Sequence, residues 1–217
     1  MEKLIKITLK IIIISLLCTL SLTIIGCKNI NELIQNLSSD NDKIRISAID
    51  DLTEIGKPAV EPLIELLNDK KSSPIARNCA AAALGNIGDS TAIEPLINTM
   101  TEYDTEFLPA FAVGALSIMC KDKDNEKLIT EKLVKLNDEF LIFGYQSLIH
   151  IGASGTEEFL SSFLNRNGNI SMAENFVESG NDKLAKAGRE WADRNGYMLI
   201  EIPSFGSENK GWGSGKD

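Results

Sequence analysis

The sequence predicts an all-α fold, a right-handed α-α superhelix built from helical hairpins. Three observations predict it. Apolar residues recur at helical spacing in short stretches separated by glycine, proline or polar turns. Equivalent positions then return every 32 or 33 residues: Leu52, Leu84, Leu116 and Leu148 form one column, and Leu63, Leu96, Leu128 and Leu160 another. Finally, the chain has 217 residues, 43% of them apolar and 24% charged, which is ordinary for a globular chain that buries a core.

The N-terminus stands apart from the repeats. Lys3, Lys6 and Lys10 precede an apolar run from Ile11 to Ile25, the build of a bacterial export signal. The run ends in Ile24-Ile25-Gly26-Cys27, which resembles the bacterial lipoprotein lipobox: an aliphatic residue at −3, a small residue at −1, then the cysteine. The resemblance implies removal of residues 1–26 and acylation of the Cys27 sulfur, placing the chain on a cell-envelope membrane outside the cytoplasm. The apolar run is short for a bilayer span, which needs roughly 20 residues.

Charge narrows the partners. The full chain carries 22 basic and 31 acidic side chains. Residues 1–26 contain three Lys and one Glu, so the chain from Cys27 has 19 basic and 30 acidic groups and a net charge of −11. Such a body is repelled by phosphate backbones, which argues against nucleic acid as a partner and against a repair function needing a basic groove. Membrane attachment is therefore expected through the anchor.

Residues 27–41 read as an N-terminal cap, with one amphipathic helix over 29–37. The repeats and their C-terminal cap fill 42–196, and residues 197–217 form a short extended segment and a Gly/Ser-rich tail. In the first repeat Ile44, Ala48, Leu52 and Ile55 mark one helix, ended by Gly56; Val60, Leu63, Ile64 and Leu67 mark the next. Ser73-Pro74 starts the second repeat as an N-cap followed by proline at the first helical position, and Gly88-Asp89 turns it.

The shared pattern R-x-x-A…L-x-x-I-G…A-[VI]-E-P-L-I, carried by Arg45–Ile64 and Arg77–Ile97, resembles the HEAT-like repeats first associated with phycobilisome lyases. The resemblance implies that the second helix of each hairpin lines a concave binding face. Later repeats depart from the pattern. Pro109 and Leu141 replace the arginine, Cys120 replaces the glycine before a charged, insertion-like loop KDKDNEK, and Phe111 and Phe143 replace Ser47 and Cys79. The larger side chains are expected to widen the packing there. Arg45 and Arg77 are expected to pair with carboxylates in the turns between repeats. Leu184, Ala187, Gly188, Trp191 and Ala192 make the apolar face of a closing helix, with Trp191 covering the open end of the stack.

No catalytic constellation assembles by spacing. His150 has no partner set, IGASGT departs from the nucleophile elbow, and GWGSGKD departs from the phosphate-binding loop. Neither a metal site nor a cofactor is expected, and Cys79 and Cys120 are expected to stay unbridged. One column does suggest binding. Glu61, Glu94, Glu126 and Glu158 lie two residues before the second leucine column; Glu65, Asn98, Thr130 and Ser162 lie two residues after it. These acidic groups can serve the helix dipole near each N-terminus, or they can form a stripe that binds a partner. The expected function is a lipid-anchored scaffold that takes a protein or peptide on its concave face without catalysis. The alternative is a lyase-like enzyme or enzyme subunit acting on a small molecule.

Overall fold

A computed structural model describes residues 29–101 and 108–199. Cys27, the export signal and the C-terminal tail lie outside the described residues. Within them every long element is an α-helix: α1 (Ile30–Asn36), α2 (Asp42–Ile55), α3 (Lys57–Asn68), α4 (Pro74–Ile87), α5 (Ile93–Met100), α6 (Leu108–Met119), α7 (Lys123–Leu133), α8 (Asp138–Ile151), α9 (Thr156–Asn167), α10 (Ile170–Glu178) and α11 (Asp182–Arg194). A 3₁₀ turn, Ser90–Ala92, precedes α5. The chain forms two compact units that divide after Thr156.

In the first unit the helices stand in two rows. The first helices α2, α4, α6 and α8 touch in succession, as do the second helices α3, α5 and α7, while α3 packs on α4 and α5 on α6. This is the α-solenoid of helical hairpins that the sequence predicts. The column Leu52, Leu84, Leu116 and Leu148 is fully buried. Each such side chain contributes about 1.5–3 kcal/mol, so the repeat period is set by the positions that stabilise most.

The caps follow from local chemistry. The side chains of Asn29, Asn41, Ser73, Asp122, Asn137, Asn169 and Asn181 each accept a backbone N–H from the first turn of the helix that follows. Gly88 ends α4 at φ 73°, a left-handed position that suits glycine, and donates its N–H to Leu84 O. Asp89 then starts the 3₁₀ turn by accepting from the Thr91 N–H and hydroxyl. Both hydrogen bonds, with help from Lys57, hold the Asp89 carboxyl below its ordinary range.

Several expectations are corrected. Ile44 is exposed, so the inner stripe of α2 is carried by Ala48 and Leu52. KDKDNEK is no insertion: Asp122 caps α7, and residues from Lys123 onward are helical. Leu128 is only half-buried; the core side of α7 is Asn125, Ile129 and Leu133, one residue out of phase with the leucine column. Asn125 explains the offset, because its buried amide donates to Gly88 O at 2.8 Å and ties the start of α7 to the preceding repeat's turn.

The arginines reach backbone carbonyls as well as carboxylates. Arg77 is buried and donates from Nε to Leu67 O at 2.6 Å, in the last turn of α3; Arg45 donates to Ser39 O at 2.6 Å, just after α1, and pairs with Asp42 of its own helix. The last carbonyls of a helix lack partners inside it and carry its negative end, so a guanidinium suits that place. Asp69, in the turn after α3, is held below the usual carboxylate range chiefly by the Ser72 hydroxyl and the Lys71 N–H, with the Lys71 and Arg77 charges adding.

The second unit contains α9, α10 and α11. Asn181 donates to Glu157 at 3.3 Å and Arg194 to Asn165 at 2.7 Å, linking α11 to α9. α11 packs on α10 through Gly188, where an added Cβ would lie 2.6 Å from Ala173 O. Trp191 is buried and stacks on Tyr197 with ring centroids 5.7 Å apart.

Candidate functional site

Three members of the acidic column sit where a carboxylate suits the helix dipole: Glu94 and Glu126 lie in the first turns of α5 and α7, and Glu158 in that of α9 in the second unit, whereas Glu61 lies beyond the first turn of α3. Contacts then divide its members. Glu94 pairs with Lys132 of α7. Glu126 accepts the Ser154 N–H at 3.0 Å, while the Thr130 hydroxyl lies 2.9 Å from both Ser154 O and Glu126 O. Glu94, Glu126 and Thr130 therefore join neighbouring segments of the first unit. Ser162 accepts from Arg166 within α9. Glu61, Glu65 and Asn98 are exposed on α3 and α5, and Glu158 is exposed on α9. Glu61, Glu65 and Asn98 are thus the members of the acidic column and its flanking polar positions that stand exposed in the first unit outside these joints.

His150 is exposed at the end of α8, where its carbonyl lies 3.5 Å from the Ser117 hydroxyl. Among the described residues no three His, Cys, Asp or Glu side chains converge as a metal would require, and no helix is long and apolar enough to cross a membrane. Cys79 and Cys120 are free thiols. Burial pushes Cys120 up to about 11, with the Glu126 charge adding; burial also raises Cys79, against a lowering by Arg45.

Residues 30–117 match the family model for HEAT repeats. That stretch of the solenoid is HEAT-like, as its arginine, leucine and glycine columns imply. It spans α1 to most of α6. Among solved structures, the complex of CpcE and CpcF of phycocyanin lyase from Nostoc sp. PCC7120 is similar at 22% identity and a TM-score of 0.43, over 75% of this chain. The present chain spans 63% of that chain. No curated protein matches the sequence.

Reading the sequence misses two features of the HEAT-like unit. The inter-repeat bond of Asn125 is one; its signal is a polar residue 32 positions after the core residue Ile93. The other is an apolar surface on the first-helix row. Phe111, expected to fill space between helices, is 44% exposed, and Ile75, Ile118 and Ile142 are exposed on the same row. Among the described residues, the aromatic side chains that are buried in the later part of the chain are Phe140, Phe163, Phe176 and Trp191.

Proposed function

We propose that the chain is a scaffold of HEAT-like repeats, held to a cell-envelope membrane outside the cytoplasm by an acylated Cys27, that binds a protein or peptide partner and performs no chemistry. The observation carrying this reading is the second-helix row, in which Glu61, Glu65 and Asn98 stand exposed on neighbouring hairpins while the repeat-to-repeat joints are made by other groups. A row of rigid helices holds side chains at fixed spacing and suits an extended partner. The net charge of −11 from Cys27 onward favours a partner with basic groups and disfavours nucleic acid.

Two experiments test the two halves of the proposal. Photo-crosslinkers placed at Glu61 and Asn98 in cells should capture one defined partner, identified by mass spectrometry; crosslinks that scatter over many proteins would refute a binding face. Replacing Cys27 by Ala should release the protein from membranes and remove the mass of the lipid. If wild type carries no added mass, the anchor is refuted. Specific, saturable binding of a bilin or another small metabolite by the purified protein would favour the lyase-like alternative instead.

A further inference from the structure

The row opposite the acidic column has another chemistry. α6 contains no charged residue, and the single charge of α4, Arg77, is buried. The exposed surface of these two neighbouring helices is therefore uncharged in a chain with 24% charged residues. Small residues bring the helices unusually close: a Cβ added at Gly85 of α4 would lie 2.6 Å from Ala115 Cα of α6. Above that crossing the small side chains leave an open cavity of about 250 Å³ whose border includes Ala82, Asn86, Ala110, Phe111, Gly114 and Ile118. Phe111 and Ile118 stand at its rim, 44% and 40% exposed.

Size and charge together select an occupant. The cavity falls below the about 300–1,000 Å³ of a typical small-molecule site, and it is open, so it suits one or two apolar side chains presented from outside. On one side lies α2, where Asp42 and Arg45 pair with each other and Asp50, Asp51 and Glu54 stand against Lys43; on the other lies α8, with Asp138 and Glu139 and no Lys or Arg. An uncharged strip between two net-acidic helices repels an anionic bilayer and matches an apolar stripe bordered by basic residues.

We propose that the cavity between α4 and α6 receives a large apolar side chain from a partner's cationic amphipathic helix, which lies along the uncharged strip with its basic residues toward the acidic groups of α2 and α8. The inference rests on the scaffold reading and adds a second contact surface on the first-helix row. Gly114 supplies a sharp test, because an added Cβ there meets nothing within 4 Å and a larger side chain fills the cavity from inside the protein.

The full chain, immobilised through its N-terminal end, is titrated with a synthetic amphipathic helix of about five turns, bearing a Leu/Trp stripe bordered by lysines, and with the same peptide bearing glutamates. The lysine peptide should bind, and Gly114→Leu should weaken it at least about tenfold, the loss expected when a central apolar anchor is excluded. Far-UV circular dichroism checks that the variant stays folded. Ile118→Ser, at an exposed position, should weaken binding in the same direction and decides the matter if Gly114→Leu unfolds. No binding of the lysine peptide, equal binding of the glutamate peptide, or affinity unchanged in the folded variants overturns the proposal. So does Phe111-dependent binding to phosphatidylcholine vesicles, which assigns the strip to a bilayer, or self-association lost in Gly114→Leu, which assigns it to a second copy. A partner crosslinked at Glu61 in the face of any of these results leaves the scaffold reading intact; loss of both refutes that reading as well.

Discussion

Gly85 and Gly114 lie on touching helices, yet the same substitution should have opposite effects at the two. Glycine inside a helix is about 0.8–1 kcal/mol less favourable than alanine, so propensity alone predicts that Gly→Ala stabilises at either position. At Gly114 the new methyl meets nothing within 4 Å, and the full gain of about 1 kcal/mol should appear. At Gly85 the methyl would lie 2.6 Å from Ala115 Cα, 2.7 Å from its Cβ and 3.2 Å from its carbonyl oxygen. The first of these atoms belongs to helix backbone and cannot rotate away, so α4 and α6 must separate by about 1 Å in a closely packed interior. Overpacking of this kind costs about 1–3 kcal/mol. The propensity gain is common to both variants, so their stability difference isolates the overpacking cost. Urea unfolding followed by circular dichroism measures it, and thermal midpoints should show Gly85→Ala below Gly114→Ala by about 2–4 °C for each kcal/mol. Equal stability of the two variants would refute the direct backbone contact between α4 and α6, and with it the shape of the cavity above that contact.

Other perturbations test other joints. Arg77→Met removes the donor to Leu67 O and leaves that carbonyl without it, so it should destabilise by about 1.5–3 kcal/mol in urea unfolding, and Arg45→Met, at a less buried position, by less. The raised thiols of Cys79 and Cys120 should make both slow to react with iodoacetamide at about pH 8 in the folded protein and fast in urea; Glu126→Gln should speed Cys120 by removing the charge that opposes thiolate formation, read by mass spectrometry of the labelled peptides. Because the Asp89 carboxyl is lowered in the folded state, its contribution is present above the ordinary carboxylate range of about 4 and is lost as pH falls through the folded value. Asp89→Asn keeps a capping acceptor but cannot titrate, so its urea midpoint should fall less steeply below about pH 4 than that of wild type; parallel acid limbs would show that Asp89 makes no such contribution.

The repeat period was legible because the positions that recur are the ones buried most completely. Leu52, Leu84, Leu116 and Leu148 have no exposed surface, so changing any of them is costly and the column persists while its surroundings drift. Helix starts were legible for a local reason: Asn29, Ser73 and Asn181 accept backbone N–H groups within their own next turn. What was not legible depends on a neighbour. Ile44 and Phe111 have the residue type of a core position, but a single helix's periodicity does not reveal which apolar stripe another helix will cover. The phase of α7 shifts by one residue because Asn125 reaches Gly88 O, 37 positions earlier, and composition read the same segment as a charged loop. The acidic column was visible, but its division was not, since the partners of Glu94 and Glu126 sit on segments 38 and 28 residues away.

That division bears on what the column can contribute to binding. A carboxylate already paired with a lysine, or already accepting a backbone N–H, must give up that partner before it can take another, so its exchange contributes little net free energy. Glu94 and Glu126 are of this kind, whereas Glu61 and Glu65 are exposed on α3. Within the column, attraction for a basic partner therefore rests in the first unit on Glu61 and its neighbour Glu65 on α3, with Asn98 of α5 adding a neutral hydrogen-bonding group, instead of being spread evenly along the repeats. On the first-helix row the order is different: the acidic groups belong to α2 and α8, and the uncharged strip of α4 and α6 lies between them. Charge at such borders mainly orients a partner and speeds encounter, while burial of a side chain in a fitted cavity sets how long the complex lasts. The two rows thus divide recognition, with orientation resting on Glu61, Glu65 and the acidic borders and residence time on the space above the Gly85–Ala115 crossing.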